Sequence, residues 1–351
     1  MKIAMILPSL ANKGPILVAR DLCMEYVAMG INCKVYYFDE IKEVDMPCDT
    51  EKISFFRSIN FREYDIVHSH MYRPDAYIFF HKPLLKVKTR FITTMHQHIA
   101  EQMPFDFNKL KASIIIKTWL LFLNRFDSIV TLSSYHNDYY KNCLNISSEI
   151  IYNGRNIDTN KEIDDDDLNK IENLKSKYKI IGGIAYITKR KGYIQLINSL
   201  QYLPEYAAII VGDGPELANL KLAANQYNVS ERCLFLGSRI DAYRYFKYLD
   251  CFILCSYTEG FPLALVESAA FGIPVVCSDI NIFKCLLSKQ EAAFFKLENI
   301  NSLTSSIKYA INNKTELSTN VRLFYTSKLT RRTMSDNYYN LYNRLLKRTY
   351  K

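Results

Sequence analysis

The sequence has no apolar run of the roughly 18–20 residues that a membrane-spanning helix needs. It also has no CxxC pair, although it has nine cysteines. An odd number of unpaired thiols fits a reducing compartment better than a disulfide framework. The opening residues Met1–Pro8 are too short for a secretory h-region and lack a small-residue cleavage site, so they predict a first buried strand. These absences predict a cytoplasmic protein.

Nucleic-acid-binding motifs are missing too, although the chain is basic. The 45 basic and 36 acidic residues give a net charge of +9, with basic residues concentrated in 81–126 and 321–351. A basic surface attracts nucleic acid, anionic lipid or phosphorylated substrates. Because no helix-turn-helix, RNP-type or zinc signature accompanies the charge, we expect no nucleic-acid partner. For the C-terminal region, a merely solvated basic face remains an alternative.

The chain is too long for one ordinary core and predicts two domains, because its 351 residues exceed the size at which single cores stop growing. In both halves apolar strands alternate with helices, which predicts an α/β class with two doubly wound parallel sheets. Such sheets bind ligands at the carboxyl ends of their strands. The predicted strands are Ile3–Leu7, Cys33–Phe38, Ile66–Ser69, Phe91–Thr94, Ser128–Leu132 and Ile150–Gly154, then Ile180–Ile187, Ala207–Gly212, Leu234–Leu236, Cys251–Cys255 and Ile273–Cys277.

Changes in composition set the predicted domain boundaries. The first domain covers residues 1–155, and the polar stretch 156–178 is predicted to be a linker that leads into a polar helix. The second domain covers residues 179–328. The remainder, 329–351, contains a basic, tyrosine-rich helix at about 331–350 that we expect to pack back on the first domain.

The segment Ser256–Asp279 is the most informative part of the chain, because it places Glu267 in an apolar helix eight residues after Glu259. Pro262 suits the first helical position and Gly272 the residue just past the end. A carboxylate on a helix packed on both sides is costly unless it receives hydrogen bonds. The lean of helical side chains points Glu267 toward the Glu259 loop, which predicts a pocket for polyols and phosphate. A structural glutamate bonded to its own protein is the alternative.

With Val211–Glu216, Leu236–Gly237 and Ile151–Gly154 in the same order, this element resembles the retaining glycosyltransferases of the GT-B fold, family 4. The resemblance covers nearly the whole chain. It implies two Rossmann-like domains that face a central cleft. It also implies a retaining hexosyltransferase that moves a sugar from a nucleotide-sugar donor to a growing, lipid-linked bacterial surface glycan (O-antigen, capsule or lipopolysaccharide core). The resemblance implies no metal and no cofactor.

Residue by residue, the resemblance assigns donor contacts in the second half. Glu267 would hold the ribose hydroxyls of the nucleotide, and Glu259 would touch the transferred sugar. Gly260 and Phe261 would present backbone N–H groups nearby. Lys191 would stabilise the negative charge that grows on the distal phosphate when the glycosidic bond breaks.

The sequence departs from the family pattern at two donor positions. The family has an Arg five or six residues before the Lys191 position, where this chain has Tyr186. Either Arg190 or Lys189 supplies the second cation, or the site uses one. After the first strand only Gly14 remains of a usual glycine pair. It would let the backbone approach a phosphate or acceptor oxygen, with a plain turn glycine as the alternative.

Four histidines lie in two H-x-H pairs. His96 matches the family's histidine near the C6 side of the sugar, and His70 and His98 are further candidates, whereas His68 is expected to be buried. Because no Cys or acidic ligand stands at zinc spacing with them, we expect no metal site.

The segment 107–126 predicts a helix with an apolar stripe toward the domain core. That stripe consists of Ile115, Ile116, Trp119, Phe122, Leu123 and Phe126. The opposite side mixes basic and aliphatic residues, Lys109, Leu110, Lys111, Ile114, Lys117, Leu120, Leu121 and Arg125. Such a face suits the headgroups of an anionic leaflet, so we predict a peripheral enzyme on the cytoplasmic face of the inner membrane. A helix buried on both sides is the alternative.

A sugar-nucleotide epimerase with the same fold is the second functional hypothesis. It would need acid and base groups at C2 of the sugar, and it would act on the donor without an acceptor. The sequence does not specify the sugar, the nucleotide, the acceptor, the linkage or the oligomeric state.

Overall fold

The computed structural model describes residues 1–85 and 87–347. The chain divides into two compact units: residues 1–155 with the described residues from Lys328 onward, and Asn156–Ser327. Each unit contains one parallel sheet flanked by helices, which confirms the predicted α/β class with two Rossmann-like domains. Within the described residues, no helix has both the length and the apolar character that crossing a bilayer requires.

The first unit is built on a seven-stranded parallel sheet. Its strands are β1 (Lys2–Leu7), β2 (Asn32–Tyr37), β3 (Asp49–Lys52), β4 (Ile66–His70), β5 (Arg90–Met95), β6 (Ser128–Thr131) and β7 (Ser148–Ile150). They lie in the order β3-β2-β1-β4-β5-β6-β7. The connecting helices are α1 (Gly14–Ala28), α2 (Tyr72–His81), α3 (Ile99–Asp106), α4 (Lys109–Leu123) and α5 (Ser134–Cys143).

Central and edge strands of this sheet differ in sequence because they differ in burial. In β1 the residues Ile3–Leu7 are all fully buried, as expected for a parallel strand covered on both faces. At the edge, every residue of β3 is exposed, and the strand is defined by its pairing with β2. Its sequence, Asp-Thr-Glu-Lys, has no apolar signature, so the alternating pattern did not predict it.

The predicted strand Ile150–Gly154 is wrong in its position, because β7 ends at Ile150. The chain beyond it instead packs against the backbone that precedes the C-terminal helix. A Cβ on Gly154 would lie 2.2 Å from the carbonyl oxygen of Thr330. The glycine is therefore needed for a close approach of two backbones, not for a strand.

The second unit contains a six-stranded parallel sheet. Its strands are β8 (Lys179–Ile184), β9 (Tyr206–Val211), β10 (Cys233–Gly237), β11 (Cys251–Leu254), β12 (Val275–Ser278) and β13 (Ala292–Phe295), in the order β10-β9-β8-β11-β12-β13. The helices are α6 (Asp165–Lys175), α7 (Ile194–Ser199), α8 (Leu217–Gln226), α9 (Leu263–Phe271), α10 (Asn281–Leu286), α11 (Ile300–Asn312) and α12 (Lys314–Lys328). The polar stretch 156–178 contains α6.

The last helix, α13 (Arg331–Lys347), belongs to the first unit. Its Tyr342 ring lies 5.9 Å from the ring of Tyr26 in α1, and Arg331 Nε donates to Glu25 at 2.7 Å. The end of the predicted helix, residues 348–350, and the end of the predicted range 329–351 lie outside the described residues.

Helix α4 has one buried and one exposed side. Trp119, Phe122 and Leu123 are buried, as is Phe126 just beyond the helix, while Ile115 and Ile116 are half-buried against the same core. The opposite side exposes six of the predicted residues: Lys109, Leu110, Lys111, Ile114, Lys117 and Leu121. The alternative of a helix buried on both sides is therefore wrong.

Two residues predicted for the outer side of this helix lie elsewhere. Leu120 is half-buried, and so is Arg125, whose guanidinium donates to the carbonyl oxygen of Lys82 at 2.6 Å. The exposed face is thus narrower than predicted.

The strand order locates the ligand-binding edge of each sheet. It reverses beside β1, which has β2 on one side and β4 on the other, and beside β8, which lies between β9 and β11. Open α/β sheets bind ligands at the carboxyl ends of strands next to such a point. The loops after β8 and β11 carry the second unit's predicted contacts, and the ends of β4 and β5 carry the histidines.

Candidate functional site

A short turn after β8 presents the predicted cations of the second unit. Residues Lys189–Lys191 form one 3₁₀ turn, which ends at Gly192 in the left-handed conformation with φ 63°. A Cβ on Gly192 would lie 2.3 Å from the carbonyl oxygen of Cys255, at the end of β11. Glycine therefore serves both the backbone conformation and the close packing of this turn against the neighbouring strand end.

Glu259 is the anion at the centre of this packing. Its carboxylate accepts from Lys191 Nζ at 2.5 Å, from Arg190 Nη1 at 3.2 Å and from Ser256 Oγ at 2.7 Å. Arg190 also donates to the carbonyl oxygen of Thr258 at 2.6 Å. Only 5% of the Glu259 side chain is exposed. Together with Lys191, Arg190 and Ser256, this glutamate forms one buried ionic cluster.

The cations keep Glu259 ionised. Burial alone would raise the pKa of its carboxyl, but the charges of Lys191 and Arg190 and the hydrogen bonds from Lys191 and Ser256 lower that pKa to about 2. Two cations surround one carboxylate, so the cluster has a net positive formal charge. Such a cluster at a strand end suits an anionic ligand with hydroxyl groups, because the carboxylate accepts from hydroxyls while the cations hold the anion.

The structure distinguishes the two neighbours of Lys191 that could supply a second cation. The guanidinium of Arg190 lies with Lys191 on Glu259, whereas Lys189 is exposed. Tyr186, which occupies the position of the family Arg, is also exposed. The geometry therefore groups Arg190, and not Lys189, with Lys191.

The glutamate-bearing helix α9 begins one residue later than predicted. Pro262 is the residue before the first turn, with φ −68° and ψ 118°, and not the first helical residue. Gly272 ends the helix in the left-handed conformation, φ 67°, as predicted. Gly260 and Phe261, which precede the helix, are both buried.

Glu267 does not lie on a helix packed on both sides, so that premise of the sequence argument is wrong. Glu267, Leu263 and Ala264 are all half-buried on one side of α9, while Leu265 and Val266 are fully buried. Apolar residues on the accessible side gave the sequence the appearance of a buried helix. The desolvation cost inferred for Glu267 is therefore smaller than expected.

The first unit carries a cluster of neutral polar groups. The ring of His70 bonds through Nδ1 to Nε2 of His96 at 2.7 Å, and it lies 4.3 Å from the ring of His68. His68 bonds to Tyr342 of α13 at 2.7 Å and to Thr94 at 2.8 Å, and Thr94 bonds to Tyr338 at 2.7 Å. We name His68, His70 and His96 the histidine cluster.

Burial keeps these imidazoles neutral. It lowers the pKa of His68 to about 3, with a further contribution from the charge of His96, and it lowers the pKa of His96 to about 3. The pKa of His70 is lowered well below its ordinary value by burial and by the two neighbouring imidazoles. His68 and His70 are fully buried, as predicted for His68, whereas His96 is half-buried and reaches the surface of the unit.

The other two predicted positions in this unit lie at the starts of helices. Gly14 is the first residue of α1 and not part of a loop that precedes it. His98 precedes α3 and is buried, with its ring stacked on that of Tyr135 at 5.1 Å and tilted against that of Tyr139 at 4.1 Å. Among the described residues, no group of three or more His, Cys, Asp or Glu side chains is placed to hold a metal ion.

Sequence reasoning missed several partners of the predicted residues. Ser256 lies inside the quoted Ser-Tyr-Thr-Glu stretch, and its spacing of three from Glu259 was the available signal. Nothing in the sequence indicated that Tyr338 and Tyr342 contact Thr94 and His68, because they are more than 240 residues apart along the chain.

Two family models match the chain. One, described as "Glycosyl transferases group 1", matches residues 164–323, and the other, "Glycosyltransferase Family 4", matches residues 50–159. Together they account for most of both units.

Individual proteins agree with the family matches. The chain is 29% identical to the O-antigen biosynthesis glycosyltransferase WclY of Escherichia coli, over 99% of both chains. It is 26% identical to the Escherichia coli UDP-Gal:alpha-D-GlcNAc-diphosphoundecaprenol alpha-1,3-galactosyltransferase, over 75% of this chain and 70% of that one. Anabaena HepE, solved with UDP and glucose, superposes with a TM-score of 0.81 at 17% identity, covering 98% of this chain and 100% of that one. At that identity the superposition shows a shared fold.

Proposed function

Because this chain belongs to family 4 of the glycosyltransferases and has the GT-B fold, we propose that it moves a hexose-type sugar from a nucleotide-sugar donor to a lipid-linked glycan. The observation that carries the proposal is the buried cluster of Glu259, Lys191 and Arg190 at the carboxyl edge of the second sheet. It combines cations for a diphosphate with a carboxylate for sugar hydroxyls. The similarity to WclY over 99% of both chains supports a role in O-antigen or related surface-polysaccharide assembly.

In this proposal the cations act on the leaving group. When the bond between the sugar and the diphosphate breaks, negative charge grows on the distal phosphate. An ammonium that is already fixed there stabilises the transition state more than the ground state. An ammonium has three donors, and Glu259 occupies one of those on Lys191. The carboxylate thus holds Lys191 in place while two donors point elsewhere, and Arg190 is the proposed second cation.

The two glutamates are proposed to bind hydroxyl groups of the donor. Glu259 stays ionised at every physiological pH, since its pKa is lowered to about 2, and therefore accepts hydrogen bonds from the transferred sugar. Glu267 is proposed to hold the ribose hydroxyls from the accessible side of α9. Gly260 and Phe261 would supply backbone N–H groups, Gly14 a close backbone approach, and His96 a contact to the sugar. We propose that the reaction needs no metal or cofactor, because protein cations carry the charge of the diphosphate.

Retention of anomeric configuration is part of the proposal, and it rests on the family resemblance. The acceptor hydroxyl would attack the face that the nucleotide leaves. The anomeric coupling in the NMR spectrum of the product, compared with that of the donor, tests this point directly.

The acceptor is proposed to be lipid-linked because the first unit exposes a surface suited to an anionic bilayer. On α4, Leu110 is 74% exposed and Ile114 54% exposed, among the exposed lysines 109, 111 and 117. Helix α2 packs beside it: the ring of Phe80 lies 5.9 Å from that of Phe122 and is itself exposed. Leu84, which follows α2, is 91% exposed. We name these exposed residues of α4, with Phe80 and Leu84, the basic-aliphatic surface.

Large exposed aliphatic groups interleaved with lysines match the boundary between headgroups and acyl chains of an anionic leaflet. Each basic residue near such a surface contributes about 1 kcal/mol. The proposed location is therefore the cytoplasmic face of the inner membrane, with the protein held peripherally and reversibly.

A transfer assay tests the proposed function. Nucleotide-sugars that raise the melting temperature of the protein, as a bound ligand does by mass action, identify candidate donors. Radiolabelled donor is then incubated with the protein and with lipid-linked acceptors in detergent. The expected result is label in the lipid fraction. Conversion of the donor in the absence of any acceptor would instead establish an epimerase.

A further inference from the structure

The histidine cluster contains one imidazole nitrogen whose surroundings determine where the protons of the cluster lie. His70 is fully buried, and its Nδ1 bonds to Nε2 of His96 at 2.7 Å. Its other nitrogen, Nε2, is buried without a hydrogen-bond partner in the part of the chain that the structure describes. Both rings are neutral, so each carries one proton, and the bond between them has a donor and an acceptor.

Two proton arrangements satisfy that bond. In the first, His70 Nδ1–H donates to the bare Nε2 of His96, which leaves the proton of His96 on Nδ1. In the second, His96 Nε2–H donates to His70, which forces a proton onto the buried Nε2 of His70. A buried donor or acceptor without a partner costs about 1–3 kcal/mol in either arrangement. Among buried backbone groups, however, an N–H without an acceptor is rarer than a carbonyl oxygen without a donor, and we apply the same preference to the imidazole. The surroundings of His70 Nε2 therefore favour the first arrangement.

From this juxtaposition we infer that His70 is a positioning residue that holds His96 in the Nδ1–H tautomer, so that His96 meets its ligand as a neutral hydrogen-bond donor. The other nitrogen of an imidazole sets the tautomer through the hydrogen bond it makes. A donor at this position binds an oxygen that has no proton to offer, such as a phosphate or ring oxygen, as well as a hydroxyl oxygen. The inference rests on the proposed contact between His96 and the donor sugar.

The surroundings of His70 hold its ring in place. His68 lies 4.3 Å away, and both of its nitrogens are engaged, by Tyr342 and by Thr94. Directly after His70 the chain turns at Met71 with φ 79° and ψ 166°, a conformation that is costly for a residue with a side chain. A ring fixed by a buried network on one side and by a strained turn on the other has little freedom to release its bond to His96.

Nitrogen-15 NMR tests the tautomer without any activity measurement. Protonated and bare imidazole nitrogens have well-separated chemical shifts, and ring correlations distinguish Nδ1 from Nε2. We expect wild-type His96 to show a protonated Nδ1 and a bare Nε2. A protonated Nε2 on His96 would overturn the inference, whichever donor and acceptor the enzyme proves to use.

Two substitutions at the same position separate the donor from the shape of the ring. The His70→Asn side chain places an amide N–H near the position of Nδ1, so it should keep the tautomer of His96 and most of the activity. The His70→Leu side chain fills space without a donor. It should shift His96 toward the other tautomer and lower kcat/KM for the donor about ten- to a hundredfold, the range seen when outer partners of metal-site histidines are removed. Equal losses in both variants would contradict the inference.

A double substitution distinguishes positioning from folding. If His70 acts through His96, His70→Leu has no further effect on kcat/KM in a His96→Ala background, because the two effects belong to one interaction. A loss that repeats in full in that background would assign His70 a merely structural role and overturn the inference. Should His70→Leu fail to fold, the wild-type spectrum and His70→Asn still decide the matter.

Discussion

The two units differ in the charge of the groups at the ends of their central strands: ionised groups in the second unit and neutral groups in the first. In the second unit Lys191 and Arg190 each bond to the carboxylate of Glu259, which stays ionised. In the first unit the histidine cluster is neutral, because burial lowers the pKa of each imidazole below the physiological range. Both arrangements are buried and hydrogen-bonded, so burial alone does not decide which charges a site keeps. A buried group stays ionised where an opposite charge accompanies it and loses its charge where only like groups do.

This contrast suits a division of labour in the proposed reaction. In the proposal the ionised cluster of the second unit would bind the diphosphate, whose charge changes during the reaction. The neutral histidine cluster of the first unit would offer hydrogen bonds to sugar oxygens. The predictions below test this division, beginning with the largest expected effect.

Among the substitutions in the ionised cluster, Lys191→Ala should lower the rate of sugar transfer the most. Without the ammonium the charge that develops on the leaving phosphate loses a fixed partner, and a loss of this kind typically lowers kcat by about 10²–10³, or roughly 3–4 kcal/mol. Steady-state transfer kinetics measure the effect, and an unchanged circular dichroism spectrum at the assay temperature shows that the fold is intact. The melting temperature itself should fall, because Glu259 loses a buried ionic partner. Lys189→Ala, on the same turn but exposed, is the matched control and should transfer at the wild-type rate.

The ionised state of Glu259 should be visible in the pH dependence of stability. Folding lowers the pKa of this carboxyl from 4.5 to about 2. Its charge therefore contributes about 3 kcal/mol above pH 4.5, and this contribution is lost as the pH falls toward 2. At neutral pH the free energy of unfolding of the wild-type protein should exceed that of Glu259→Gln by about that amount. The difference between the two proteins should become smaller below pH 4.5.

Urea unfolding at several pH values measures this difference, and the two units have separate signals. The single tryptophan, Trp119, lies in the first unit, so its fluorescence reports that unit, while circular dichroism reports both. Glu259→Gln should shift only the unfolding transition of the second unit, which circular dichroism detects and Trp119 fluorescence does not. Glu172→Gln, on the exposed side of α6, is the control. If the difference in unfolding free energy between wild type and Glu259→Gln stayed constant from pH 6 to pH 3, Glu259 would not be held ionised by its neighbours.

Glu267→Ala should lower transfer at least tenfold, mainly through a higher KM for the donor. The proposed contact is to the ribose, which takes no part in the chemistry, so it is made equally in ground and transition states. Isothermal titration with the free nucleotide should show the same loss of affinity. Nucleotide affinity equal to that of wild type would remove Glu267 from the donor site and leave it a structural residue of α9.

The smallest expected effect belongs to the basic-aliphatic surface of the first unit. Lys117→Gln should weaken binding to vesicles that contain phosphatidylglycerol by about 1 kcal/mol, or roughly fivefold. Vesicle flotation measures it, with pure phosphatidylcholine vesicles as the uncharged reference. Lys221→Gln changes another exposed lysine, on α8 of the second unit, and should have no effect. Equal losses for both variants would show attraction by net charge without a defined surface.

The main features of the fold could be predicted where the sequence of a strand or helix is apolar because that element is buried. Central strands such as β1 and β11 are apolar because helices cover both faces, and their positions were predicted within a residue or two. The exposed edge strand β3 has no such signal, because its conformation is determined by the pairing with β2. Glu267 shows the converse error: Leu263 and Ala264 suggested a buried helix although they lie on its accessible side.

The sites could be predicted only in part, for a related reason. The sequence separation of three between Ser256 and Glu259, and the adjacency of Arg190 to Lys191, are local and visible in the chain. What brings Glu259 to those cations is the packing of Gly192 against Cys255, which depends on two strands becoming neighbours. The histidine cluster depends further on the register of β4 with β5 and on tyrosines from α13, neither of which local patterns encode.

The assignment of α13 to the first unit also bears on how this chain is made. Strand β1 is synthesised before any strand of the second unit, yet the unit that contains β1 receives Tyr338 and Tyr342 only after residues 156–327 have been translated. The second unit is contiguous from Asn156 to Ser327 and therefore leaves the ribosome before these two tyrosines do. Domains generally fold as units while they emerge from the ribosome. In this protein the half that is synthesised first is therefore the half that is completed last.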